Sequence, residues 1–352
     1  MVNIVLTNAY RPGNQGDLML VKESVSVLKE FNFRELFINS LEPESFSLKM
    51  EELDEKNFIV KHSKARPFIG ISNEVSKQIK VGLAVGGGYL RFGNFLEAFK
   101  ADVIHLAQLR KLVRLNIPFA MLPQSIGPST FMPRDFGKIL KSAAWVAARD
   151  NKTLDLVIQL APKANVWRCP DLIALALDFP KTKTQGELIG LIFKKDPIVK
   201  QSIISKLLEK KNTIVLIQSD TGGRNDDSRV TSRYSKSRQM SADVAWGSGE
   251  IGSVISMRLH GALAAISKGT PAIHIATERK GYGVFADLGL EKFLFNRRNF
   301  DVDSVYKLAQ ELITNESLKA EYWQSISDKI SIFGGYREEL RARIAHLLES
   351  TH

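Results

Sequence analysis

Gly252-Ser253-Val254-Ile255-Ser256-Met257-Arg258-Leu259-His260-Gly261-Ala262-Leu263-Ala264 decides the reading of this chain. The apolar run of residues 252–256 predicts a buried strand, and the small and apolar residues of 259–268 predict a buried helix. A strand passing through a short turn into a helix is the repeating step of a parallel α/β sheet. The pattern continues on both sides. Residues 271–275 predict the next strand, after Gly269-Thr270, and residues 302–313 and 318 onward predict helices. Upstream, residues 188–193 and 213–217 predict strands, with a helix at 198–210 between them.

The first half of the chain has the same rhythm. Strands are expected at 3–7, 81–85, 117–122, 144–148 and 165–168, and helices from about Leu18, at 94–115 and at 153–160. The rhythm pauses in the polar stretch 178–186, which contains Pro180, Lys181, Lys183 and Gly186. We therefore expect an α/β protein of two Rossmann-like domains with parallel sheets, at residues 1–178 and 187–317, followed by a helical segment at 318–352 that can cross back to the first domain. A length of 352 residues agrees with two domains, because one core rarely grows past roughly 250–300 residues.

Composition narrows the function. Apolar residues are 44% and charged residues 25%, an ordinary globular balance. The net charge of +11 favours anionic partners: phosphorylated small molecules, anionic lipid headgroups or nucleic acid. No arginine-rich tail, zinc-finger spacing or aromatic RNA-binding motif supports nucleic acid. Cys169 is the only cysteine, so no intrachain disulfide can form, and a reducing, cytoplasmic setting is expected. The N-terminus lacks the basic start and longer apolar stretch of a signal peptide, and no apolar run is long enough to span a bilayer.

Ligands of open parallel sheets bind beyond the carboxyl ends of the strands, so the loops after Thr7, Val85, Leu122, Ile217 and Ser256 are where chemistry is sought. The sharpest constellation is Arg258 with His260. Both stand at the opening of a helix, where free N–H groups and partial positive charge favour an anion. Arginine adds a bidentate fork for carboxylate or phosphate. Arg149, beside Asp150, either reaches an anion or pairs with a neighbouring carboxylate. In Gly13-Asn14-Gln15-Gly16-Asp17, the glycines permit close approach, and Asp17 either caps a helix or meets a substrate hydroxyl. Gly86-Gly87-Gly88 is read as a site of close ligand approach, with a tight turn as the simpler account. In Pro123-Gln124-Ser125-Ile126-Gly127-Pro128, Gln124 and Ser125 offer neutral hydrogen bonds suited to a sugar, on what reads as a stiff loop. The remaining histidines, His62, His105, His274, His346 and His352, have no such setting and are read as structural or solvated. Asn225-Asp226-Asp227 is read as a solvated loop, and no metal-ligand spacing occurs.

Taken together these pieces resemble the polysaccharide pyruvyl transferases, the ketal-pyruvyl transferases of exopolysaccharide and cell-wall glycan synthesis. The resemblance rests on residues 13–17, 86–88, 124–128, Arg149-Asp150, Pro170-Asp171 and 256–260, with Gly269-Thr270-Pro271 and Lys280 following. It weakens over 41–80 and 222–234. It implies a GT-B-like arrangement with an inter-domain cleft, the first domain on the acceptor side and the second on the donor side. It further implies phosphoenolpyruvate as donor co-substrate, no cofactor and no metal. The acceptor would be a sugar, lipid-linked or not, which is compatible with peripheral association at the inner face of the membrane. Arg258, Leu259, Arg149 and Lys280 would bind the donor and His260 would be catalytic. Asn14, Gly16, Asp17, Gly86, Gly87, Gly88, Gln124 and Ser125 would form acceptor-side or structural loops.

Two rival readings share the architecture. A GT-B glycosyltransferase using a nucleotide sugar needs an acidic residue late in the second domain for the ribose, and Glu278 is the candidate. A carbohydrate- or phosphate-binding module accounts for the glycine loops and the charge, but not for an Arg/His pair at a helix start.

Overall fold

In β1 (Asn3–Ala9) the side chains of Ile4, Val5 and Leu6 are all fully buried. A strand apolar on both faces belongs inside a parallel sheet covered by helices on either side. The structure is a computed structural model that describes residues 2–50, 59–178, 186–194, 196–199, 201–218 and 238–351. The aspartates at 226–227 and most of the expected boundary at 178–186 lie outside the described residues.

The first sheet contains β1, β2 (Glu35–Ser40), β3 (Ile59–Lys64), β4 (Val81–Ala84), β5 (Gly87–Leu90), β6 (Phe119–Ile126), β7 (Val146–Ala148) and β8 (Val166–Arg168). Their order is β3-β2-β1-β4-β6-β7-β8, with β5 against β6, and every pairing is parallel. Val5 lies opposite Phe37 on one side and Gly82 on the other. The edge strand β3 carries Lys61, His62 and Lys64, charge of the kind that discourages further strand pairing.

Three local differences from the sequence reading have clear causes. The first helix begins at Gln15 rather than Leu18 (Gln15–Leu28), because Asn14 Oδ1 accepts the Gly16 N–H at 3.2 Å and closes the first turn. Asp17 therefore lies within that turn, near the positive end of the helix, and is not its cap. The expected helix over 94–115 runs as Phe95–Lys100, a π-helical turn Ala101–Leu106 and Ala107–Arg114, with Asn94 Oδ1 capping it by accepting the Glu97 N–H at 3.0 Å. The supposed stiff loop at 123–126 is the second half of β6. Pro123 fits because the pairing with β7 shifts register between Met121 and Gln124.

The glycine run has a packing reason. A Cβ on Gly86 would stand 2.9 Å from the Pro123 carbonyl oxygen, and Gly87 has φ +148° where it opens β5. At Gly86 the group that approaches the backbone is β6 of the same sheet.

The second sheet holds β9 (Leu188–Ile192), β10 (Thr213–Ile217), β11 (Gln239–Ser241), β12 (Ile251–Ser256), β13 (Ala272–Ala276) and β14 (Leu294–Asn296). It is parallel in the doubly wound order β11-β10-β9-β12-β13-β14. The helix Leu259–Ser267 follows β12 directly and is buried along nearly its whole length.

The chain divides into two units. One comprises Met1–Pro12, Asp17–Leu175 and Gly334–His352, and the other comprises Gly13–Gly16 and Ala176–Phe333. The long helix Glu316–Glu349 contributes to both, with Gly334-Gly335 at the changeover. In the second unit Tyr322 exchanges hydrogen bonds with both backbone groups of Ala272, at 2.9 and 3.0 Å. In the first, Arg337 Nε donates to the Leu175 carbonyl (2.5 Å) and Trp145 Nε1 to the Arg343 carbonyl (3.3 Å). Among the described residues, no helix is long and apolar enough to cross a membrane.

Candidate active site

In the second unit the strand order reverses between β9 and β12, so the crevice beyond their carboxyl ends is the expected ligand site. A pocket lies there, and its lining comes from the ends of four strands. β9 leads to Lys194, β10 to Gln218, β12 to Arg258, Leu259 and His260, and β13 to Thr277, Glu278 and Lys280, and Asn14 and His274 also line it.

The turn that presents Arg258 is held by Ser256. Its hydroxyl donates to the Arg258 carbonyl (2.7 Å) and accepts the Arg258 N–H (3.1 Å). Arg258 is the N-cap of Leu259–Ser267 with extended backbone (φ −104°, ψ 119°), and its side chain makes no cap hydrogen bond. The positive end of a nine-residue helix is thus part of the pocket wall.

Charge in the pocket is strongly one-sided. Among the described residues that line it, Arg258, Lys194 and Lys280 are cations against the single carboxylate of Glu278, three positive charges less one, or +2 before the histidines are counted. Lys194 Nζ donates to Glu278 Oε1 at 2.8 Å, and Lys280 Nζ stands 3.5 Å from Glu278 Oε2. Burial lowers the Lys194 pKa and Glu278 opposes that shift, while Lys280 and Arg258 add to it. His274 is buried, and its pKa falls to about 4, chiefly through burial. Its Nδ1–H donates to the Ser256 carbonyl at 2.8 Å, which steadies the strand end that carries Arg258. Gly16 packs on the imidazole of His260, where a Cβ would stand 2.1 Å from Nδ1.

The structure therefore brings Arg258, Leu259, His260, Lys280 and Asn14 together around one pocket. It does not place Arg149, Gln124 or Ser125 on that wall. Arg149 is 1% exposed; its Nη1 donates to Asp171 Oδ2 at 2.5 Å and its Nε to Ser125 Oγ at 2.9 Å, and Nη2 is buried with no hydrogen-bond partner among the described residues. Ser125 Oγ donates to Asp150 Oδ2 at 2.7 Å. Gln124 Nε2 donates to the Val85 carbonyl (2.6 Å) and to Tyr89 Oη (2.9 Å). These three side chains tie strand ends together inside the first unit, so Arg149 takes its ion-pair alternative and the two expected sugar contacts are internal.

Sequence reasoning missed Lys194 and Gln218 as neighbours of this pocket, read His274 only as structural or solvated, and named Glu278 only for the ribose of a nucleotide sugar. The loop after the first strand of the second domain was the available signal, since a central strand beside the reversal point always opens onto the crevice. Among the described residues there is no group of three His, Cys, Asp or Glu side chains placed to hold a metal ion.

The polysaccharide pyruvyl transferase family profile matches residues 14–279, most of the chain. The chain belongs to the polysaccharide pyruvyl transferase family. Curated proteins give no match. Among solved structures the chain is similar to S. aureus MnaA in a co-structure with UDP, at 11% identity and TM-score 0.58 over 99% of this chain and 97% of that one. It is similar to Arabidopsis thaliana UGT89C1, at 11% identity and TM-score 0.56, covering 97% of this chain and 98% of that one. It is also similar to UDP-GlcNAc 2-epimerase from Methanocaldococcus jannaschii, at 11% identity and TM-score 0.50, covering 89% and 92%. These likenesses show a GT-B-like fold for this pyruvyl transferase family member.

Proposed function

We propose that this family member transfers the pyruvyl group of phosphoenolpyruvate to a sugar of a polysaccharide or lipid-linked glycan, forming a pyruvyl ketal and releasing phosphate. The observation that carries this reading is the pocket with three cations, one carboxylate and His260 at a helix N-terminus. Phosphoenolpyruvate is small and bears a carboxylate and a phosphate, and such a pocket answers both.

Arg258 and the helix start hold one anionic group by bidentate and backbone hydrogen bonds. Lys194 and Lys280, now engaged by Glu278, turn to the other when the donor enters. His260, as the general acid, gives its proton to the methylene carbon. A sugar hydroxyl bonds to the adjacent carbon and returns its proton to His260. A second hydroxyl then attacks the same carbon, the bond to the phosphate oxygen breaks, and phosphate leaves with the second hydroxyl proton. One proton thus ends on the new methyl group and one on phosphate.

The test is mass spectrometry of glycans incubated with the protein and phosphoenolpyruvate, with phosphate release followed in parallel. The reading requires a glycan heavier by one pyruvyl ketal and phosphate formed in equal amount. Phosphate released without a modified glycan, or a glycan extended by a sugar when a nucleotide sugar is supplied, contradicts it.

A further inference from the structure

Phe68, Phe95 and Phe99 cluster on the surface of the first unit. Phe68 and Phe99 meet edge-on with ring centroids 6.1 Å apart, and Phe95 stacks on Phe99 at 6.3 Å. All three are exposed, at 72%, 67% and 50%, and Leu96 (74%) and Ile69 lie beside them in sequence and are exposed as well. Of the four well-exposed phenylalanines among the described residues, three are in this cluster, so it is a patch and not scatter.

The backbone holds the patch outward at a cost. Phe68 has φ +63°, a conformation unfavourable for a bulky aromatic residue. The turn is fixed by the antiparallel bridge between Arg66 and Gly70 and by the Phe68 N–H, which donates to the Val103 carbonyl of the π-helical turn at 2.8 Å. A buried aromatic would explain such strain by its packing; an exposed one needs a partner.

Charge identifies that partner. Lys64, Arg66 and Lys100 are exposed and flank the phenylalanines in sequence, and the acidic residue within the Phe95–Lys100 helix, Glu97, is engaged by Arg91 at 3.1 Å. Exposed phenylalanine and leucine with exposed cations beside them in sequence is the pattern of a segment that enters the headgroup boundary of an anionic bilayer. Both segments follow the carboxyl ends of strands, β3 for 65–70 and β5 for the helix, so the patch lies on the ligand-bearing edge of its parallel sheet.

We infer that Phe68, Ile69, Phe95, Leu96 and Phe99, with Lys64, Arg66 and Lys100, form a docking surface for an anionic phospholipid membrane. The patch seats the first unit on the bilayer with the carboxyl edge of its sheet facing the lipid. This inference does not depend on the identity of the donor, and its test does not measure turnover.

The experiment is co-sedimentation of the full chain with vesicles of phosphatidylcholine containing phosphatidylglycerol, and with vesicles of phosphatidylcholine alone. The wild type should bind the anionic vesicles, prefer them to the neutral ones, and lose binding as salt rises. The triple variant Phe68→Ser/Phe95→Ser/Phe99→Ser should partition about tenfold or more weakly, because the apolar term is removed. Lys64→Gln/Arg66→Gln/Lys100→Gln should erase the preference for anionic vesicles. Phe68→Gly relieves the backbone strain, so it should keep or raise the melting temperature while still weakening binding, and it keeps the test decisive if the triple variant misfolds. Failure of the wild type to bind anionic vesicles overturns the inference, as does unchanged binding by Phe68→Gly and the serine variant. A wild-type oligomer that the serine variant converts to monomer, with no vesicle binding by either, assigns the patch to a second copy of the chain and overturns it equally.

Discussion

Gly16 and His260 touch so closely that a single added carbon on Gly16 would stand 2.1 Å from the imidazole Nδ1. The glycine of the Asn14-Gln15-Gly16 turn is therefore a wall for the proposed acid. Gly16→Ala must push the ring aside, and a misplacement on the ångström scale costs about 10²-fold in rate. We expect kcat to fall by that order, with a modest change in melting temperature because alanine favours the helix that begins there. Wild-type kcat in Gly16→Ala would remove His260 from the chemistry or show the contact to be slack.

Lys194 and Glu278 form the second telling pair, at 2.8 Å. If the donor anion takes Lys194 from Glu278, Lys194→Met should raise the Kd for phosphoenolpyruvate by about tenfold or more, the scale of a hydrogen bond to a charged group. Glu278→Gln removes the competitor and should lower Kd. Calorimetric titration reads both. Weaker binding in Glu278→Gln would mean that the carboxylate serves the ligand and does not compete with it.

Much of this architecture was legible in the chain. The βα step at 252–264 and its repeats show both parallel sheets, because buried parallel strands are continuous apolar runs that composition alone reveals. β2 and β3 escaped notice: Glu35, Asn39 and Ser40 interrupt one, and Lys61, His62 and Lys64 the other. The Arg258–His260 turn was readable for the same reason as the fold, since a strand end and a helix start converge on it. The partners of Arg149 were not. Whether an arginine meets a ligand or a buried aspartate depends on tertiary distances, and Asp171 lies 22 positions away in sequence. Lys194 was not named as a site residue because its meaning comes from Glu278, which is distant in the chain, although the loop that carries it follows a central strand of the second sheet.

Arg149 and Asp171 make a buried pair, and removing one partner leaves an uncompensated charge. Asp171→Asn and Arg149→Met should each destabilise the protein by about 3–5 kcal/mol in urea unfolding. On the fraction that stays folded, the affinity for phosphoenolpyruvate should be unchanged. A variant of normal stability that cannot bind the donor would return Arg149 to the donor site.

His274 and His105 are both buried and neutral, with pKa values lowered to about 4 and about 3, chiefly by burial. The native state therefore binds fewer protons than the unfolded state below the ordinary histidine range. Their contribution to stability is complete above about pH 6.5 and is lost as pH falls through the folded values. Melting temperature should decline from pH 6.5 towards 4, and His274→Asn should flatten that slope while lowering stability at neutral pH. A slope unchanged in the variant would assign the acid sensitivity to other groups, the carboxylates among them.

We propose phosphoenolpyruvate as the ligand of the pocket formed by Arg258 and His260. Calorimetric titration with phosphoenolpyruvate tests it most directly, on the wild type, Arg258→Lys and His260→Ala, with a UDP-sugar as the competing ligand. The wild type should bind phosphoenolpyruvate. Arg258→Lys keeps the charge but loses the fork, and should bind about tenfold or more weakly. His260→Ala should bind nearly as the wild type, while its turnover drops about 10²–10⁴-fold. No heat with millimolar phosphoenolpyruvate, together with saturable binding of the UDP-sugar that Arg258→Lys abolishes, would contradict the account and make the pocket a nucleotide-sugar site.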